Sequence, residues 1–139
     1  MHEDINIVFV YGTLKKGFPA NKYLNNSSFI GTANSTEDYS IYANYIFPAM
    51  LEVSSKLGVF GELYIIDPDD KQKVDEYEGV AFNLYELKQI NLSKISLLEN
   101  YLHLESYIKS NELPVKAYIY RGNLKEFVKI DFWPWLNLY

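Results

Sequence analysis

Ile5-Asn6-Ile7-Val8-Phe9-Val10-Tyr11, followed at once by Gly12-Thr13-Leu14-Lys15-Lys16-Gly17, is the stretch on which the fold turns. Apart from Asn6 the first seven residues are β-branched or aromatic. The last five are apolar without alternation, the pattern of a strand covered on both faces. Such a strand lies inside a sheet and not at its edge. Two glycines with a small polar residue between them then end it in a loop, because glycine permits positive φ. Tyr11-Gly12-Thr13-Leu14 thus presents successive backbone N–H groups at a strand end, a concavity suited to a carboxylate or an oxyanion. A plain turn leaving the strand is the other reading of the same spacing.

Outward from this strand, Pro19 permits a helical turn to about Asn25, with Tyr23 and Leu24 as its apolar contacts. Residues 29–33, 39–42 and 49–53 are short apolar stretches broken by polar clusters and by Pro48, the spacing of short antiparallel strands. Residues 57–66 form a longer strand. Gly61 in its middle signals a bulge or a close backbone approach, and Phe60, Glu62 and Tyr64 share one side. Asp67-Pro68-Asp69-Asp70 is a helix start, with Asp67 as cap and Pro68 at the first helical position; the helix runs to Glu78 and Gly79 ends it. Residues 82–92 and 115–121 read as strands, the second closed by a Gly122-Asn123 turn. In residues 93–110, Ile95, Leu98, Tyr101, Leu102, Tyr107 and Ile108 approximate a helical stripe. Leu97 and Leu104 leave a strand reading open, and the helix is the favoured one. Trp133 and Trp135 flank Pro134 in a tail, residues 127–139, expected to close the fold as an aromatic segment, with self-association as the alternative. The sum is an α+β fold of about six mostly antiparallel strands with one or two packed helices. A chain of 139 residues is one domain's worth, against about 150 per domain, so residues 1–139 are expected to form a single unit.

Composition narrows the chemistry. There is no cysteine, so disulfides, thiolate nucleophiles and zinc-thiolate clusters are excluded. Thirteen basic residues against eighteen acidic give a net charge of −5, a field that repels phosphate backbones, so no nucleic-acid partner is expected. The N-terminal Met1-His2-Glu3-Asp4 is acidic where a secretory signal would be basic, and no apolar run approaches a bilayer span, so a cytoplasmic location without membrane association is expected. His2 and His103 are the only histidines, and neither sits in a triad or metal-ligand pattern; no metal and no nucleotide loop is expected. What remains is the glycine-bearing loop and the carboxylates. Glu78, in the last turn of its helix, faces the negative end of the dipole, with Asp75 and Glu76 adding like charge. Both effects favour the neutral acid, a state useful to a general base that later acts as an acid. A solvated end-of-helix side chain is the alternative. Glu62, flanked by Phe60 and Tyr64, is the rival carboxylate, and its plainer reading is a buried acid satisfied by backbone N–H groups.

At these residues the chain resembles the γ-glutamyl cyclotransferase superfamily, the AIG2-like proteins that include γ-glutamylamine cyclotransferases. Val8-Phe9-Val10-Tyr11-Gly12-Thr13-Leu14-Lys15-Lys16-Gly17 is similar to the family's opening strand and substrate loop, and Asn21 stands where its pattern has asparagine. Gly61-Glu62-Leu63-Tyr64 with Asp67 resembles the strand before its helix, and Asp75-Glu76-Tyr77-Glu78-Gly79 its helix-end motif. The resemblance implies a sheet curled into a barrel, and a reaction that converts a γ-glutamyl amine or γ-glutamyl peptide to 5-oxoproline and a free amine without a cofactor. By the same resemblance Glu78 is the acid/base, the backbone of Tyr11, Gly12, Thr13 and Leu14 binds the substrate, and Tyr85 stands beside the pocket. The partner is then a small γ-glutamyl compound, and the protein a monomer or homodimer. Two departures stand out: Leu87, with Lys88 beside it, where many relatives carry arginine, and a longer stretch over residues 93–113. The physics suits this reaction, because the nucleophile is the substrate's own α-nitrogen and five-membered ring closure needs only a held conformer and a moved proton. A non-catalytic binding module on the same fold, and an amide hydrolase or γ-glutamyl transfer enzyme, are the competing readings.

Overall fold

The structure, a computed structural model, describes residues 5–130. Among the described residues nine strands form one sheet: β1 (Ile7–Val10), β2 (Ser28–Ser35), β3 (Ser40–Ala43), β4 (Pro48–Leu51), β5 (Phe60–Ile65), β6 (Tyr85–Gln89), β7 (Leu92–Leu97), β8 (Val115–Tyr120) and β9 (Val128–Ile130). Two α-helices accompany them, α1 (Pro68–Tyr77) and α2 (Glu105–Lys109). The order is β7-β2-β5-β1-β8-β4-β3-β9, with β6 paired to β8 beside that path. Only β1 with β8 and β4 with β8 are parallel.

β1 is central, as its unbroken apolar run requires: it lies between β5 and β8, and none of its four residues exceeds 2% exposure. Each such side chain contributes roughly 1.5–3 kcal/mol by leaving water. Its alternate residues feed two cores. Ile7 and Phe9 pack with Ile30, Leu63 and Met50, and Leu104 and Ile108 cover this face; Val8 and Val10 pack with Leu24, Val74 and Tyr118 on the other.

The sheet corrects the expectation of about six strands curled into a barrel. β8 carries β1 and then β4 along one edge while β6 occupies the other, so the path branches, and its ends β7 and β9 share no ladder among the described residues. The sheet therefore stays open. β7 and β9 were the strands not anticipated. Residues 93–110, favoured above as a helix, instead divide into β7, a 3-10 turn over Glu99–Leu104 and the short α2. Pairing with β2 decides the first half: Gly31 leaves room where a Cβ would overlap the Ser96 carbonyl, and the ladder overrides an ambiguous apolar stripe. Phe82, expected in a strand, falls in a 3-10 turn, Val80–Phe82, before β6 begins. Trp133 and Trp135 lie outside the described residues, as does His2.

α1 forms where its capping residues place it. The Asp67 carboxylate accepts from the N–H groups of Asp69 and Asp70 at 2.9 and 3.4 Å, Pro68 opens the helix, and Gly79 leaves it at φ +66°. Its inner face carries Asp70 and Val74, each 1% exposed. Asp70 accepts from Asn26 N at 2.8 Å and Ser27 Oγ at 2.7 Å, fastening the helix beside the 3-10 turn Pro19–Leu24. Four residues past Val74 on that same face comes Glu78.

Candidate active site

The site begins where β1 and β4 part. β1 pairs with β8 as far as Phe9–Ala117, and β4 takes over the same edge at Met50–Ile119. In the gap the Tyr11 hydroxyl donates to Tyr118 O at 2.8 Å and accepts from Met50 N at 3.1 Å, replacing a ladder that the backbone has left. Tyr11 therefore offers the site its backbone, while its ring belongs to the core. Above this divergence lies a cavity of about 240 Å³. Val10 to Leu14 line it below, Ile46, Phe47 and Pro48 form one wall, and Tyr77, Glu78, Leu84 and Tyr85 form another.

The loop is held by its carbonyls and leaves its amides over. Gly12 O accepts from Lys15 N, Thr13 O from Ala20 N, and Leu14 O from Asn21 Nδ2. Among the described residues no acceptor takes the N–H of Gly12, Thr13 or Leu14. Gly12 is required for closeness and not for a positive φ: a Cβ there would stand 2.8 Å from Pro48 Cγ. Gly17, by contrast, does use the left-handed region, at φ +86°. From outside the cavity a chain of side chains fixes the loop to β5. Asn21 Nδ2 donates to Tyr64 OH at 3.0 Å, Tyr64 OH to Glu62 Oε1 at 3.1 Å, and Lys16 N to that same Glu62 oxygen at 2.9 Å. Glu62, expected as a carboxylate buried among backbone donors, is only partly buried, and a phenol shares its care with one N–H. It does not line the cavity.

Glu78 lies across from the loop as the residue after α1, its own N–H donating to Val74 O at 2.8 Å. Burial pushes its carboxyl up to about 8. That cause differs from the dipole and like charges inferred from sequence. Asp75 is bound to Lys71 at 2.8 Å and accepts from the Tyr118 hydroxyl, while Glu76 is exposed. Spacing could have found the true cause, since Asp70, Val74 and Glu78 recur every four residues on one helix face. Among the described residues no hydrogen bond or ion pair engages the Glu78 carboxylate. Tyr85 lines the same cavity; burial, then the charges of Tyr11 and Glu78, raise its phenol, so it is neutral and a donor. Its hydroxyl is likewise unclaimed among the described residues. The Tyr77 hydroxyl and Thr13 Oγ1 share a hydrogen bond of 2.8 Å that ties the helix end to the loop.

Glu78, Tyr11, Gly12, Thr13, Leu14 and Tyr85 are thus brought to one hollow. Sequence reading did not find Ile46, Phe47, Pro48, Leu84 or Tyr118: the first three arrive through the β3–β4 hairpin, Tyr118 on β8, and Leu84 through the turn after α1, where its N–H donates to Gly79 O at 3.2 Å. His103 is exposed on the 3-10 turn before α2, and Lys88 is bound to Glu52 at 3.0 Å. Among the described residues no three potential metal ligands gather, and no helix is long and apolar enough to cross a membrane.

In class, then, this is an α+β sheet protein with a ligand-sized pocket at the carboxyl end of its central strand. The family model described as γ-glutamyl cyclotransferase, AIG2-like, matches residues 8–132, and the chain belongs to that family. A Methanocaldococcus jannaschii protein named "Putative gamma-glutamylcyclotransferase" is 37% identical over 86 residues, covering 61% of this chain and 70% of that one. One of the same description from Pyrococcus horikoshii is 35% identical over 81 residues, 58% of this chain and 66% of its own length, so the second match spans just under two thirds of that relative. The crystal structure of an AIG2-like protein from mouse superimposes with a TM-score of 0.64 over 94% of this chain and 88% of that chain, at 18% identity, a likeness of fold alone.

Proposed function

We propose that this protein is a γ-glutamyl cyclotransferase, converting a γ-glutamyl amine or γ-glutamyl peptide to 5-oxoproline and a free amine, with Glu78 as general acid/base and no cofactor. One observation carries the reading: an unpaired carboxyl that ionises near pH 8 shares a cavity with three unclaimed loop amides. Perturbed acids opposite preorganised donors mark sites of proton transfer.

The α-carboxylate of the substrate sits on the N–H groups of Gly12, Thr13 and Leu14, which folds the γ-glutamyl chain back on itself. Its α-ammonium then meets Glu78, whose carboxylate form this cation favours. Glu78 takes one proton, the α-nitrogen attacks the δ-carbonyl carbon, and the C–N bond to the leaving amine breaks as Glu78 returns that proton to the amine nitrogen. A second proton follows from the ring nitrogen to the departing amine, so the α-nitrogen sheds two protons and the amine gains two, with no water consumed. The Tyr85 phenol is the donor available to the oxyanion. Holding the folded conformer supplies most of the acceleration, since ring closure is intramolecular.

The test is 5-oxoproline formation from γ-glutamyl amines and dipeptides, followed by mass spectrometry, for the parent and Glu78→Gln. The parent forms it; the variant loses at least about a hundredfold, because general acid–base help is worth about 10²–10⁴. Undiminished turnover in the variant removes Glu78 from the mechanism. Silence in both, with binding retained, leaves a non-catalytic binding module.

A further inference from the structure

Tyr118 lines the cavity from β8 at 2% exposure. Its hydroxyl donates to Asp75 Oδ1 at 2.5 Å, and the other oxygen of that carboxylate accepts from Lys71 Nζ at 2.8 Å. Asp75 does not line the cavity itself; it stands three residues before Glu78, on the same side of the end of α1. Burial, then the bond to Asp75 and the charges of Asp75 and Glu78, push the Tyr118 phenol up, so it keeps its proton. A phenol has one proton and two lone pairs. With the proton directed to Asp75, only the lone pairs are left to offer, and a bond to a carboxylate makes that oxygen the better acceptor. Among the described residues nothing donates to it. The β8 backbone at this point is held as well, since Tyr118 O accepts from the Tyr11 hydroxyl at 2.8 Å, which fixes the phenol relative to the loop that follows β1.

We propose that the Tyr118 oxygen accepts a hydrogen bond from the α-ammonium of the substrate, and that Asp75 is the positioning residue that commits it to this task by holding the phenol proton. The inference rests on the cyclotransferase reading and adds a second point of recognition for the glutamyl head. An ammonium carries three N–H donors, and each that leaves water for a buried hollow needs an acceptor. Glu78 answers one, and the loop amides only donate. A neutral oxygen beside Glu78 meets the need without competing for the proton that Glu78 must take, as a second carboxylate in the cavity would. No bond forms or breaks at Tyr118, and the proton transfers are unchanged.

The experiment compares two ligands that differ only in the α-amine: L-methionine sulfone, which has it, and 4-(methylsulfonyl)butanoate, which lacks it. Neither holds a carbonyl that an α-nitrogen could attack to close a ring. Dissociation constants from titration calorimetry are measured for the parent, Tyr118→Phe, Asp75→Ala and Asp75→Asn, with circular dichroism to check each fold. Tyr118→Phe keeps the ring that packs in the core. It should weaken the amino ligand about 10- to 100-fold, the loss of one hydrogen bond to a charged group, and leave the desamino ligand within about threefold. Asp75→Ala, which releases the phenol proton, should weaken the amino ligand at least about fivefold. Asp75→Asn, whose amide oxygen again takes that proton, should recover most of this loss. Equal weakening of both ligands by Tyr118→Phe, weakening of neither, or no binding of the amino ligand to the parent overturns the inference. Release of 5-oxoproline from γ-glutamyl methylamide by the parent is measured alongside. Its presence leaves the cyclotransferase reading standing whatever the ligands do, and its absence overturns both.

Discussion

Replacing Glu78 with glutamine should stabilise the protein more as pH rises. The carboxyl takes about 8 in the fold against an ordinary 4.5. Between those values the folded state binds a proton that the unfolded chain has released, so stability is complete below about pH 4.5 and falls as pH rises toward 8. Integrating that difference, the parent gives up about 1 kcal/mol at pH 5, about 3 kcal/mol at pH 7 and about 5 kcal/mol at pH 9. Glutamine does not titrate, and every other ionisable group is common to both proteins. Any fixed effect of the substitution shifts the curve without tilting it. Water entering the cavity mouth screens part of the penalty, so the advantage of Glu78→Gln should grow by about 2–4 kcal/mol from pH 5 to pH 9. For a chain of this size that corresponds to about 6–15 °C in Tm. Urea or thermal unfolding of both proteins at five pH values measures it. A difference independent of pH refutes the reasoning, because Glu78 would then ionise like an exposed carboxyl.

Three further outcomes follow from named contacts. Because the free enzyme must present the Glu78 carboxylate and the free substrate its ammonium, kcat/KM should rise about tenfold per pH unit below pH 7 and turn over near 8; a rate flat from pH 5 to 7 contradicts the assignment. Gly12→Ala drives a methyl to 2.8 Å from Pro48 Cγ, and should cost about 1–3 kcal/mol in urea unfolding and lower kcat with circular dichroism unchanged. Asp70→Ala strips the acceptor from Asn26 N and Ser27 Oγ under a helix residue 1% exposed, and should cost about 2–4 kcal/mol; a midpoint within 0.5 kcal/mol of the parent, roughly the level of an ordinary surface change, would show those bonds to be dispensable.

The chain's local chemistry determined a good deal without any coordinates. The apolar run ending at Tyr11 placed β1 inside the sheet, and Asp67, Pro68 and Gly79 set the two ends of α1, because burial on both faces, capping and left-handed φ each depend on residues within one turn or strand. The four-residue interval from Val74 to Glu78 even held the reason for the raised acid. Tertiary structure alone decided the rest. Residues 92–97 became a strand because β2 offered an edge that Gly31 lets them approach. The sheet stayed open because β8 carries three partners. Phe47 and Pro48 came to wall the cavity beside Glu78 through pairings tens of residues apart in sequence. Helix caps and hydrophobic runs act over a few residues, whereas a pocket is the space left between elements, and no single segment encodes it.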